Sequence, residues 1–191
     1  MKKFINILLF LLFTHIVLTQ LASSSAEETE NLTVSKESSS HRGKVSIIPL
    51  SGMIDGGIYN SLKRRVEIAK ENGSNLIIFE IDTFGGQLEP AFEISEHISN
   101  IKDTKTIAFI PTKAISAGSL IAISCNEIYM SPQAELGDCE PIVPSSEGGY
   151  KTVGEKIQTV LRTKFRKFAE KNGYPVLLAE AMVTKEIEVY R

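Results

Sequence analysis

What most limits the fold of this chain is an alternation of short apolar runs with longer amphipathic ones. Val45 to Leu50 (VSIIPL), Asn75 to Ile81 (NLIIFEI), Thr106 to Ile110 (TIAFI) and Glu127 to Met130 (EIYM) read as strands. Between the first two, Ile58, Leu62, Val66 and Ile68–Ala69 recur at near-helical spacing, and Gly73 closes the segment as a C-cap. Between the second and third, Leu88, Ala91, Ile94, Ile98 and Ile101 form the inner stripe of another helix. Strands and helices alternating at this spacing build βαβ units, so an α/β fold with a mainly parallel sheet flanked by helices is expected. The run NLIIFEI is apolar enough to be buried on both faces. Ligands of such sheets sit beyond the carboxyl ends of the strands.

Two turns occupy that end. The first is Asp82-Thr83-Phe84-Gly85-Gly86-Gln87, and the second is Ser116-Ala117-Gly118, which opens an apolar helix. A serine between a strand end and a helix start has its hydroxyl in the open beside free backbone N–H groups, the geometry a nucleophile needs. An ordinary tight turn has the same composition. Gly85-Gly86 can likewise be a plain turn, or a place where a backbone N–H meets a developing oxyanion.

Ser116 needs a base, and the three histidines narrow the choice. His15 and His41 precede the folded region, and His97 lies on a helix flank beside Glu96, which reads as a solvated or half-buried surface position. No histidine follows Ser116, which argues against a Ser-His-Asp triad and leaves lysine. Lys156 opens an amphipathic helix, Lys156 to Lys171, whose Ile157, Val160, Leu161, Phe165 and Phe168 are expected to face inward. A first-turn lysine meets the positive end of the helix dipole, which disfavours its charged form. Lys113, Lys151 and Lys185 compete with it, and a solvated surface lysine is the ordinary state of each.

The flanking regions set the organisation. Lys2-Lys3, an apolar run from Phe4 to Leu18 and the small residues Ala22 to Ala26 read as a signal peptide over residues 1–26, with an uncleaved anchor as the alternative. The apolar run is about 15 residues, short of the roughly 20 a membrane span needs. Residues 27–43 are polar and aperiodic, as a linker is. The folded domain takes residues 44–191, with a loop-rich stretch from Ser131 to Ser145, a polar, mobile Ser146 to Gly149, and a short helix within Tyr174 to Met182. A net charge of −2 gives no hint of nucleic-acid binding. Lys151 to Gly173 is locally basic and reads as a solvated helix face, or more sharply as a face towards anionic lipid. Cys125 reads as a buried small hydrophobe, and whether it pairs with Cys139 is left open by sequence.

The segments IDTFGGQ (Ile81 to Gln87), SAGSLIA (Ser116 to Ala122) and MSPQAELGDCEPI (Met130 to Ile142), in this order, resemble the NfeD-type membrane serine proteases, relatives of ClpP and of signal peptide peptidase A. The resemblance runs from about Val45 to Thr184. It implies a ClpP/crotonase-like fold and a Ser-Lys dyad, with the serine on Ser116 and the lysine on Lys156. It also implies oxyanion donors at the N–H groups of Gly86 and Ala117, and a substrate cleft touched by Gly85 and Phe84. Phe84 stands where the family usually has proline. The resemblance further implies an exported or membrane-associated endopeptidase without a cofactor, acting on hydrophobic segments of membrane proteins such as stomatin-like partners. It implies a homo-oligomer as well. Family members continue past Thr184-Lys185, so a domain shortened at Arg191 is expected. The rival readings are a catalytically inactive scaffold of a membrane complex and a crotonase-type acyl-CoA enzyme. The export signal argues against the second.

Overall fold

The structure, a computed structural model, describes residues 43–190. The signal and nearly all of the linker lie outside the described residues. Four strands, β1 (Lys44–Ser51), β2 (Ser74–Asp82), β3 (Lys105–Ile110) and β5 (Glu127–Met130), form one sheet in the order β1-β2-β3-β5. All three pairings are parallel, with Ile47 beside Ile78, Ile78 beside Ile107, and Ile107 beside Glu127. The connections are α1 (Gly56–Glu71), α2 (Leu88–Ser99) and, after the short β4 (Lys113–Ile115), α3 (Ala117–Ile123). Asp55 caps α1 by accepting the Ile58 N–H at 2.9 Å. The α/β class and the four strands read from the sequence are therefore present.

One sheet face is dry. Ile48, Leu50, Ile77, Phe79, Ile81, Ala108 and Ile110 are buried there with Leu62 and Val66 of α1, Ala91, Ile94 and Ile98 of α2, and Leu120 and Ile121 of α3. The other face departs from expectation. Val45, Ile47 and Tyr129 are exposed, and Leu76, Ile78 and Phe109 are only half-buried. The strand β2 is thus not covered on both sides, because no described helix crosses that face. Ile68 is also exposed, since the α1 stripe that packs is Leu62, Val66 and Ala69.

Short pairings that sequence periodicity did not reveal shape the carboxyl end of the sheet. The strand β4 pairs in parallel with β6 (Glu135–Gly137), and β7 (Ile142–Pro144) pairs antiparallel with β8 (Tyr150–Thr152). The stretch Ser146 to Gly149, expected to be mobile, is the closed turn of that hairpin, with Ser145 N–H donating to the Gly149 carbonyl at 3.0 Å. The chain then enters α4 (Glu155–Asn172) and α5 (Val176–Ala181). Leu161, Phe165, Phe168 and Ala169 of α4 are buried, but Ile157 and Val160, expected inside, are exposed by 42% and 47%. The first turns of α4 therefore run free of the core.

Candidate active site

Beyond β3 the chain turns at Pro111-Thr112, and β4 delivers Ser116 to the start of α3. Ser116 has φ 53° and ψ −116°, a region that a residue with a Cβ rarely enters and that costs about 1–3 kcal/mol. Its neighbours impose that conformation. The Ser116 N–H donates to the Gly137 carbonyl at 2.9 Å, and its carbonyl accepts from Ser119 N–H at 3.0 Å and from the Cys139 thiol at 3.5 Å. Its hydroxyl makes no capping bond to the helix it precedes. The outcome is a strained strand-to-helix turn with an uncommitted Oγ, as in a nucleophile elbow.

The glycine pair lies directly against it. A Cβ on Gly85 would sit 2.7 Å from Ser116 Cβ and 3.2 Å from its Oγ, so only glycine allows this approach. Thr83 locks the loop: its hydroxyl donates to the Gly52 carbonyl at 2.5 Å and accepts from Gly85 N–H at 2.9 Å. Ile54 N–H donates to the Gly85 carbonyl at 2.9 Å, and Gln87 N–H donates to the Ile54 carbonyl at 2.8 Å. Among the described residues the N–H groups of Gly86 and Ala117 donate to no protein acceptor. Both border one cavity of about 320 Å³ that also contains Ser116, with apolar walls from Leu120, Ile157 and Leu161. A polarised carbonyl placed there would find a hydroxyl and two free donors together.

Lys156 is not part of that wall. It is exposed in the first turn of α4, and it makes no hydrogen bond or ion pair among the described residues. Its neighbour Ile157 lines the cavity instead. The other cations of α4 are engaged. Lys164 and Lys167 converge on Glu96 of α2 at 2.5 and 2.6 Å, Lys171 donates to Ser99, Arg166 pairs with Glu180, and Arg162 pairs with Glu155. Five of the seven basic side chains between Lys151 and Gly173 thus have partners within the chain. Burial pushes the Glu96 carboxyl up, but the two lysines outweigh it and hold it below the usual carboxylate range. Lys151 and Lys185 are exposed. Lys113 pairs with Asp82 at 3.4 Å.

Phe84 is 78% exposed and lies outside the Ser116 cavity, on a neighbouring groove. His97 is half-buried, edge-on to the Tyr59 ring at 6.4 Å, and its Nε2 has no partner among the described residues. Burial and the charge of Lys70 hold its pKa below the ordinary histidine value. Cys125 and Cys139 are both free and buried.

Three supporting residues were not singled out by sequence reasoning. Thr83 holds the glycine loop, as above. Ser119 is fully buried, its Oγ 2.5 Å from the Ala114 carbonyl and 2.9 Å from the Gly137 carbonyl, and it accepts the Gly137 N–H at 2.8 Å. Gly137 in turn positions Ser116. The available signal was Ser119 directly before the apolar run Leu120 to Ile123, a position that asks for a buried partner.

A parallel sheet, a strained serine at a helix start and a glycine pair packed on it define a ClpP-like protease fold. Residues 44–191 match the family described as NfeD1b, N-terminal domain, and the chain belongs to it. It is 28% identical to the membrane-bound protease PH1510 of Pyrococcus horikoshii over 76% of this chain and 34% of that protein. It is 26% identical to the membrane protein NfeD1b of Bacillus subtilis over 75% of this chain and 32% of that one. The chain thus spans about a third of the length of these curated relatives. Among solved structures, a serine-to-alanine mutant of the 1510-N membrane-bound stomatin-specific protease superposes with a TM-score of 0.71 at 27% identity, covering 75% of this chain and 71% of the other. A lysine-to-alanine mutant of that protease in complex with a substrate peptide gives a TM-score of 0.70, also at 27% identity, over 76% and 68%.

Proposed function

We propose that this chain is the protease domain of an exported, membrane-associated serine endopeptidase. Ser116 Oγ attacks a peptide carbonyl, and the N–H groups of Gly86 and Ala117 hold the resulting oxyanion. Lys156 takes the serine proton and passes it to the leaving amine. The observation that carries this reading is the backbone of Ser116, held at φ 53° with its hydroxyl uncommitted and two unpaired N–H groups beside it. Two facts support the lysine. Lys156 directly precedes Ile157 of the cavity wall. The serine and lysine exchanged in the two mutant structures above lie one residue further apart in their chain than Ser116 and Lys156 do here.

The apolar walls suit a substrate with hydrophobic side chains. The specificity stated for the Pyrococcus protease supports a stomatin-like membrane protein as substrate. Membrane association rests on the names of both relatives and on the apolar leader, since no described helix is long and apolar enough to cross a bilayer. The open sheet face at Val45, Ile47 and Tyr129 supports self-association, because parallel sheets are ordinarily covered on both sides.

The position of Lys156 favours a second reading, an inactive scaffold in which the dyad never closes. Labelling with a fluorophosphonate probe separates the two. Wild-type chain is expected to label, Ser116→Ala to lose all labelling, and Lys156→Ala to label at least about 10²-fold more slowly. Equal labelling of all three would end the dyad reading, and an unlabelled wild type would favour the scaffold.

A further inference from the structure

Next to the Ser116 cavity lies a groove of about 610 Å³, and Gly86 lines both. Its walls include Met53, Phe84, Asp82 and Lys113. Met53 and Phe84 are exposed by 69% and 78%, a large apolar surface for two adjacent loops. Neither loop is loose. The parallel bridge between Ile54 and Gly86 and the Thr83 hydrogen bonds join them, so the residues next to Met53 and Phe84 are fixed relative to each other.

The Phe84 ring is also held. Lys113 Nζ lies 4.5 Å from its centroid, a cation–π contact. The same ammonium is tethered to Asp82 Oδ1 at 3.4 Å, and Asp82 accepts the Thr112 hydroxyl at 2.5 Å. The lysine charge is therefore matched by a carboxylate, and the groove carries no unpaired charge to attract an ionic side chain. What it offers is a thioether and an aromatic face.

We infer that Met53, Phe84 and Lys113 form a second substrate subsite, across Gly86 from the Ser116 cavity, that takes an apolar side chain of the polypeptide. This rests on the reading of Ser116 as the nucleophile. A chain whose carbonyl sits against Gly86 has residues on both sides of that glycine, so the groove is continuous with the reacting position. The Phe84 ring, held in place by Lys113, supplies the aromatic part of this wall and makes it a specificity element. Lys113 is a positioning residue: it acts through the ring.

The test is cleavage-site profiling. Denatured casein is digested with wild-type chain and with Phe84→Ser, Phe84→Leu, Lys113→Met and Ile157→Ser, and the new termini are read by mass spectrometry. Wild type is expected to show two positions enriched in apolar residues. Phe84→Ser should reduce enrichment at one of them roughly tenfold, the low end for loss of one pocket contact. Phe84→Leu should retain it, and Lys113→Met should weaken it in part. Ile157→Ser should disturb the other position. Two results would overturn the inference while leaving the nucleophile intact: an unchanged Phe84→Ser profile, or a shift at the position that Ile157→Ser alters. A wild-type chain that neither cleaves casein nor takes a fluorophosphonate would refute the nucleophile reading, and the subsite with it.

Discussion

The contact between Gly85 and Ser116 can be tested by adding a single methyl group. Gly85 has φ 111°, outside the range open to an alanine, and strain of that kind costs about 1–3 kcal/mol. The new Cβ would lie 2.7 Å from Ser116 Cβ and 3.2 Å from the Ile115 carbonyl, so the loop or the serine must move. Overpacking of this sort adds about 1–3 kcal/mol. The sum is roughly 2–6 kcal/mol for Gly85→Ala. At about 2–4 °C per kcal/mol, the melting temperature should fall by on the order of 10 °C. Gly73→Ala is the matched control, because Gly73 has φ 74° but a Cβ there meets nothing within 4 Å. It should lose only the strain, about 1–2 kcal/mol. The two variants separate further in reactivity. Displacing the Gly86 N–H by an ångström should slow fluorophosphonate labelling by about 10²–10³-fold, the effect of losing one oxyanion donor. Gly73→Ala should label at the wild-type rate. Differential scanning fluorimetry and timed labelling read both effects. If Gly85→Ala melts and labels like Gly73→Ala, the packing of the glycine loop on the serine is not what the geometry describes.

Ser119→Ala should cost about 1–3 kcal/mol and slow labelling, because it leaves the buried Gly137 N–H without a partner next to the carbonyl that holds Ser116; chemical denaturation checks the first effect. The thermal midpoint should fall on acidification in two stages. Burial holds the His97 pKa down, so the unfolded chain takes up a proton below about pH 6.5 before the folded one does, and stability declines. Glu96 is held below its unfolded value of about 4.3, so the stability it contributes is present above that pH and lost as pH falls through the folded value. Melting curves of Glu96→Gln should show a shallower lower stage, the remainder coming from Asp82, Glu127 and Glu155, which are held low as well. Burial pushes the Cys139 thiol up to about 12, so neither it nor the still more shielded Cys125 should react with iodoacetamide in the native chain near neutral pH, while both should after denaturation, as mass spectrometry can count.

Sequence determined the frame. The periodicities of VSIIPL, NLIIFEI and TIAFI and of the helices between them call for an apolar face to be buried, and βαβ spacing points to a parallel sheet with helices packed on it. It also marked the candidate site, since Ser116 and Gly85-Gly86 follow strands and no histidine lies downstream. Tertiary structure decided the rest, because it depends on partners distant in the chain. The strain at Ser116 is imposed by Gly137 and Ser119, and the free N–H of Gly86 exists because Ile54 takes the hydrogen bonds on either side. Three-residue strands such as β4 and β6 have no period to read. The inward face of α4 was misjudged at Ile157 and Val160 for a related reason: amphipathicity shows which stripe is apolar, but only the neighbouring helices decide how much of it is covered.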